Sequence, residues 1–219
     1  MYTRRRALAL GALSIGALAG CSSVSELAGD GPIERTAAPA MLAEDAVSGT
    51  GYEQSSQRER TLEREVSAGG QSRTIIAANQ VTLYEKAIQE LARGSLFGVV
   101  STPGFTIAGQ TVNPVANFSN EELIDLVSEQ FDGLSDVSEV ETLTKTALGS
   151  EIPVTKFDGT ANFGGQEVPI YIYTGKVVNE RNENGATDVV IGAGGYPQAY
   201  DDTEADTVES FFGAIEHPA

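Results

Sequence analysis

From Val140 to Tyr196 the chain repeatedly runs in alternating residues and then breaks on glycine, which forces neighbouring strands into hairpins. Four runs carry the pattern: Val140–Leu148, Val154–Phe163, Glu167–Asn179 and Asp188–Tyr196. Gly164-Gly165 separates the second from the third, and Glu183-Asn184-Gly185 the third from the fourth. An Asn-Gly pair supplies the two positive-φ residues of a type I′ turn, whose twist matches antiparallel strands. Ile170 and Ile172 alternate with Tyr171 and Tyr173 in the third run. A period of two is that of a strand, so this half predicts an antiparallel meander. Two helices accompany it. Ser119-Asn120-Glu121-Glu122 is a capping box ahead of Leu123, Ile124, Val127 and Phe131, which share one apolar face, and Gly133 stops the helix. Asp201-Asp202-Thr203-Glu204 opens a second, with Val208, Phe211, Phe212 and Ile215 at helical spacing. The predicted class is α+β: an antiparallel sheet with a few helices packed on one face.

The first half reads less regularly. Ile33–Ala38 predicts a short strand, Pro39 opens a short helix over Ala40–Ser48, and Gly49-Thr50-Gly51 ends it. In Tyr52–Val66, Arg58, Arg60, Leu62 and Arg64 alternate with Glu59, Thr61, Glu63 and Glu65. Ser56-Gln57-Arg58-Glu59 fits a helix capping box as well, but the period of two and the following Gly69-Gly70 favour a strand. With Arg73–Ala87 it would form a long hairpin whose charges make a solvated edge. Leu96–Ser101 predicts a buried strand and Phe105–Ala108 a short one, in a stretch punctuated by Thr102-Pro103 and Asn113-Pro114.

Ahead of all this stands an address. Arg4, Arg5 and Arg6 precede an uncharged run, Ala7–Gly20, which falls short of the roughly 20 apolar residues a membrane span requires. It fits a secretory signal, with the arginines holding the start on the cytoplasmic side. Thr3-Arg4-Arg5-Arg6-Ala7-Leu8 has the form of a twin-arginine signal, and Leu18-Ala19-Gly20-Cys21 that of a lipobox. The division expected is therefore residues 1–20 as signal peptide, 21–31 as lipidated Cys21 and flexible tether, and 32–219 as one α+β domain. Twin-arginine cargo folds before export, and stable anchoring takes two lipid chains, so Cys21 is expected to carry a dialkyl-type lipid on the extracellular face of the cytoplasmic membrane.

Composition adds boundaries. The chain has 31 acidic against 14 basic residues, a net charge of −17, and three of its arginines lie in the address. Nucleic acid and anionic membrane surfaces would repel such a domain. Cys21 is the only cysteine, so no intrachain disulfide can form. The only lysines are Lys86, Lys145, Lys156 and Lys176, and tryptophan is absent. An acidic, lysine-poor surface suits concentrated salt, where the Debye length shrinks to about 3 Å at 1 M and self-repulsion is screened. A salt-loving archaeon is the expected source.

Ala38-Pro39-Ala40, Thr50-Gly51-Tyr52, Ser101-Thr102-Pro103, Asn113-Pro114 and Gly195-Tyr196-Pro197 follow one another in an order that resembles a haloarchaeal lipoprotein family, domain of unknown function 6517. The resemblance runs from Ile33 onward and carries over no reaction and no catalytic residues. The second half alone is more loosely similar to the PsbP/Mog1/DcrB architecture, an antiparallel sheet with helices on one side.

Chemistry-bearing constellations are sparse. The one histidine, His217, follows the last helix and is expected as a solvated tail rather than the base of a nucleophile. One cysteine and one histidine cannot make a zinc cluster. Gly192-Ala193-Gly194-Gly195 lacks the Lys-Ser/Thr of a phosphate loop and leads to Pro197, so tight backbone contact at a strand end is expected. Asp201, Asp202, Glu204 and Asp206 are weak calcium candidates; acids at a helix start more often cap free N–H groups and face the positive dipole end. Tyr196, Pro197 and Tyr200 could bind a sugar or peptide. No cofactor is implied. The leading expectation is a non-enzymatic, lipid-anchored binding or accessory module with an envelope protein partner. A hydrolase using paired carboxylates and a calcium-dependent adhesion module are the alternatives.

Overall fold

The computed structural model describes residues 31–68, 71–88, 91–104, 106–107, 110–111, 113–130, 133–163, 165–179 and 187–218. The address, the tether up to residue 30 and the Asn184-Gly185 turn lie outside the described residues. In chain order the elements are β1 (Ile33–Thr36), β2 (Met41–Leu42), α1 (Glu44–Val47), β3 (Glu53–Ala68), β4 (Gln71–Ile88), β5 (Leu91–Thr102), β6 (Thr106–Ile107) and β7 (Gln110–Thr111). Then follow α2 (Asn120–Gln130), β8 (Leu134–Ala147), β9 (Ser150–Phe163), β10 (Gln166–Asn179), β11 (Asp188–Pro197), α3 (Asp201–Gly213) and β12 (Ile215–Glu216).

One eight-stranded sheet dominates, in the order β1-β4-β5-β11-β10-β9-β8, with β3 on the other edge of β4. The expected α+β class is overturned on three counts. First, the fold is mostly strand. β8 and β9 begin at Leu134 and Ser150, well before the apolar alternation that marks them in sequence, because their outward positions are polar and wet. The helix expected over Ala40–Ser48 shrinks to α1, because Met41 and Leu42 pair with Glu216 and Ile215 instead. Second, the sheet is mixed: β1 runs parallel to β4, Ile33 opposite Ile75 and Thr36 opposite Ala78. Third, the helices do not share one face. α3 packs over Tyr173, Val177 and Val190, whereas Ile124 of α2 packs with Ile170, Ile172 and Phe157 on the opposite side. Odd and even positions of β10 point to opposite faces, and both are apolar, so each calls for its own cover.

The larger core lies under α3. Phe97 makes edge-to-face contacts with Phe211 and Phe212 at 5.3 and 5.2 Å between centroids, and Tyr52 meets Phe211 at 5.0 Å. Such pairs add about 0.5–1.5 kcal/mol each beyond area burial. α3 sits this low because the strand beneath it is β11, with Gly192 and Gly194 on the helix side. A Cβ on Gly192 would fall 2.8 Å from Phe212 Cε1, and one on Gly194 would fall 2.6 Å from Phe97 Cδ2 and 2.9 Å from Val208 Cγ1. On the other side, the predicted capping box starts α2: Glu122 N donates to Ser119 Oγ at 3.2 Å, and Ser119 N donates to a Glu122 carboxylate oxygen at 2.7 Å.

Gly194→Val is expected to lower stability by at least about 1–3 kcal/mol, since overpacking of this size forces Phe97 and Val208 off their rotamers. Chemical denaturation under native salt checks it. Gly165→Ala, at a turn where a Cβ meets nothing within 4 Å but φ is 95°, separates backbone strain from overpacking.

Candidate functional site

The N-terminal turn of α3 carries the acids picked out in sequence, and it buries Glu204 while leaving Asp202 and Asp206 exposed. Tyr200 occupies the N-cap position without a side-chain cap hydrogen bond, so the acids that follow do not cap. Asp201 and Glu204, one turn apart, instead each reach a lysine of the sheet.

Glu204 is buried and pairs with Lys86 Nζ of β4 at 2.5 Å. It also accepts from the Tyr52 hydroxyl at 3.0 Å, and that hydroxyl meets Ser95 Oγ in a short contact. Ser95 Oγ donates in turn to Gly195 O at 3.3 Å. Burial, and then the neighbouring carboxylate of Glu204, pushes the Tyr52 phenol far above its ordinary value.

Asp201 takes Lys156 Nζ of β9 at 3.2 Å and the Tyr196 hydroxyl at 2.8 Å through the same oxygen. Tyr196 and Tyr173 share a hydroxyl hydrogen bond of 2.9 Å and stack at 5.9 Å. Lys156 Nζ lies 4.0 Å from the Tyr171 ring centroid and 5.5 Å from that of Tyr173, a double cation–π contact. Burial disfavours the Lys156 charge, but hydrogen bonds with Tyr173 and Asp201 outweigh it and hold its pKa up. Burial, then the bonds to Tyr173 and Asp201, drive the Tyr196 phenol far upward.

Among the expected calcium candidates, then, Asp201 and Glu204 are each matched to a lysine, while Asp202 and Asp206 are exposed on the helix. Among the described residues no group of three His, Cys, Asp or Glu is placed to hold a metal ion. Of the expected aromatic group, Tyr196 is buried with its hydroxyl committed internally, Pro197 is buried, and Tyr200 is half-buried.

A second cluster escaped sequence reasoning. His217 is no solvated tail: its side chain is 0% exposed. Its Nε2 lies 3.2 Å from Asp188 Oδ2 and 3.1 Å from Ser101 Oγ, and its Nδ1 lies 2.8 Å from both Asn179 Nδ2 and Pro218 O. Asp188 Oδ2 also accepts from the Ala38 backbone N–H at 3.0 Å. Serine, histidine and aspartate meet here, but not as a nucleophile and its base. That chemistry needs the carboxylate on one ring nitrogen and the hydroxyl on the other. Here both sit on Nε2, and Ser101 is fully buried. The cluster is a clasp that ties the chain's end to β5, β10, β11 and the segment after β1. Little in the sequence pointed to it, since His217 sits between Glu216 and Pro218 and its partners are distant in the chain.

Taken together, the described residues form a β-rich fold built on one large mixed sheet, with Asp201 and Glu204 at the start of α3 each matched to a lysine of that sheet. The family described as Domain of unknown function (DUF6517) matches residues 39–216, and the chain belongs to that family. The fold is similar to the solution structure of cyanobacterial PsbP (CyanoP) from Synechocystis sp. PCC 6803, at 8% identity and a TM-score of 0.40, covering 88% of this chain and 99% of that one. No curated protein matches the sequence.

The two phenols set a pH dependence. Their folded pKa values are raised, so as pH climbs past about 10, the free tyrosine value, the unfolded chain loses protons that the folded chain keeps. Stability is full below that point and falls above it. Denaturation midpoints measured from pH 7 to 11 are expected to drop steeply above about pH 10. Tyr52→Phe with Tyr196→Phe should flatten that drop while lowering stability at pH 7. An unchanged alkaline slope in the double variant would show the phenols do not govern it.

Proposed function

We propose that the protein is a lipid-anchored module on the extracellular face of the cytoplasmic membrane of a halophilic archaeon, exported by the twin-arginine route and acting by binding rather than by catalysis. The observation that carries this reading is the register at the start of the chain. Paired arginines, a short uncharged run and a lipobox cysteine occur in order, and among the described residues the first strand begins at Ile33, a tether's length beyond Cys21. The interior supports the binding role. The one histidine is locked in a clasp whose geometry does not suit a nucleophile, and Asp201 and the buried Glu204 of α3 are each matched to a lysine.

Fractionation of a haloarchaeal host expressing the full chain tests the anchor. The chain is expected in the membrane fraction, its N-terminal peptide beginning at Cys21 with the mass of an added lipid. Cys21→Ser should release it, and Arg4→Lys with Arg5→Lys should hold it in the cytoplasm. A peptide beginning at Met1 with an unmodified Cys21 would overturn the reading.

The halophilic part rests on net charge and scarce lysine. Circular dichroism is expected to show the sheet signal collapsing as salt is dialysed away and returning in molar salt. A full signal in the absence of salt would overturn this part.

A further inference from the structure

We infer that one face of the β3–β4 ribbon is a second membrane contact, one that grips anionic lipid headgroups beside the anchor. This deepens the lipid-anchor reading and rests on it. Net charge argues against such a contact, but net charge averages over two faces that the strand separates. Even positions of β3 near its centre are Arg58, Arg60 and Leu62; odd ones are Glu59, Thr61, Glu63 and Glu65. Successive side chains of a strand point to opposite faces, so over this central stretch the cations and acids of β3 part, the nearest acids on the cationic face being Glu53 and Glu85 beyond the bulge at Gln54/Ser56. Register fixes which side is which. Arg58 is opposite Val81, Arg60 opposite Asn79 and Leu62 opposite Ala77, and across β4 Ala77 pairs with Arg35 of β1. Arg58, Arg60 and Arg35 thus lie around Leu62 on one face. Leu62 is 55% exposed, and Arg58 and Arg60 are exposed on a strand that pairs, among the described residues, only with β4.

Topology brings this face to the anchor. β1 runs parallel to β4 with Ile33 opposite Ile75, so the chain enters the domain towards the far end of the ribbon, alongside the β3 segment that carries Leu62 and Glu63. The dozen or so residues between Cys21 and Ile33 can extend to roughly 40 Å, which lets the ribbon reach the surface that holds the lipid. The chemistry fits a headgroup layer. Arginine binds phosphate through two parallel N–H···O bonds, a contact-range interaction. At 1 M salt the Debye length is about 3 Å, so long-range repulsion from the acidic remainder is screened while direct contacts persist. An exposed leucine between the cations can enter the interfacial zone, as amphipathic surface segments do.

Vesicle co-sedimentation of the full mature chain carrying Cys21→Ser tests the face without the lipid. Phosphatidylglycerol and phosphatidylcholine vesicles are compared at a salt concentration where circular dichroism shows the native sheet. Binding to phosphatidylglycerol and not phosphatidylcholine is expected. Arg58→Glu with Arg60→Glu should weaken it at least about tenfold. Leu62→Glu, a separate exposed position, should weaken it as well, and Glu63→Gln on the opposite face should not. No binding to phosphatidylglycerol, equal binding to both lipids, or binding that survives both the arginine pair and Leu62→Glu would overturn the contact. Failure of the anchor reads out separately, as a missing lipid on wild-type Cys21.

Discussion

The seat of α3 on β11 is the constraint on which the rest of the molecule depends. A chain with one cysteine can form no intrachain disulfide, so its sheet holds by packing, and it packs because a helix is let down close to it. Gly192 and Gly194 leave no Cβ under the helix, so Phe211 and Phe212 reach Phe97 and Tyr52 rather than riding above them. Only at that depth can the first turn of α3 meet the strands. Asp201 comes within reach of Lys156, and Glu204 within reach of Lys86 and Tyr52. The apolar contact and the two ion pairs, of which Glu204–Lys86 is the more buried, are therefore one arrangement. A buried pair stabilises little by itself, and removing one partner is costly because the other charge stays behind. What the two pairs add is direction: they fix where α3 begins and how it is rotated.

Much of the sheet was legible because its strands alternate and its turns carry glycine. The order β8 to β11, the β3–β4 hairpin and the α2 capping box all follow from local chemistry that tertiary structure did not override. The parts that were not legible share a cause. Parallel pairing of β1 with β4 joins Ile33 to Ile75 across the intervening β2, α1 and β3, and no local pattern encodes it. Placement of α2 and α3 on opposite faces was readable in principle. In β10 both Ile170–Ile172 and Tyr171–Tyr173 are apolar, which marks a strand covered on both sides, but alternation alone registers only the period. At the start of α3 the sequence offered a general rule, acids near a helix N-terminus, and the structure applied a specific exception. The exception depended on Lys86 and Lys156, which are distant in sequence. His217 was hidden in the same way, since its partners come from β5, β10 and β11.

The strand parity of β3 also bears on how the domain keeps to itself. An open edge of this length is a template for pairing with another copy. Two identical edges that pair antiparallel are related by a two-fold axis perpendicular to the sheet, which keeps each face on its own side. Even positions then oppose even positions, and odd oppose odd. Between Gln57 and Ser67 the glutamates occupy odd positions, so registers that pair this central stretch with itself place Glu59, Glu63 or Glu65 opposite another acid or a neutral residue, and place Arg58 or Arg60 opposite a cation, Leu62 or a neutral residue. Like charges directly opposite are destabilising. The alternation that gives the ribbon a cationic face therefore denies the centre of β3 a self-complementary edge. A strand with mixed charges on each face would have had neither property. A single pattern of alternating arginine and glutamate thus gives the centre of the ribbon one cationic face and leaves the centre of its edge without an attractive register against itself in a second copy.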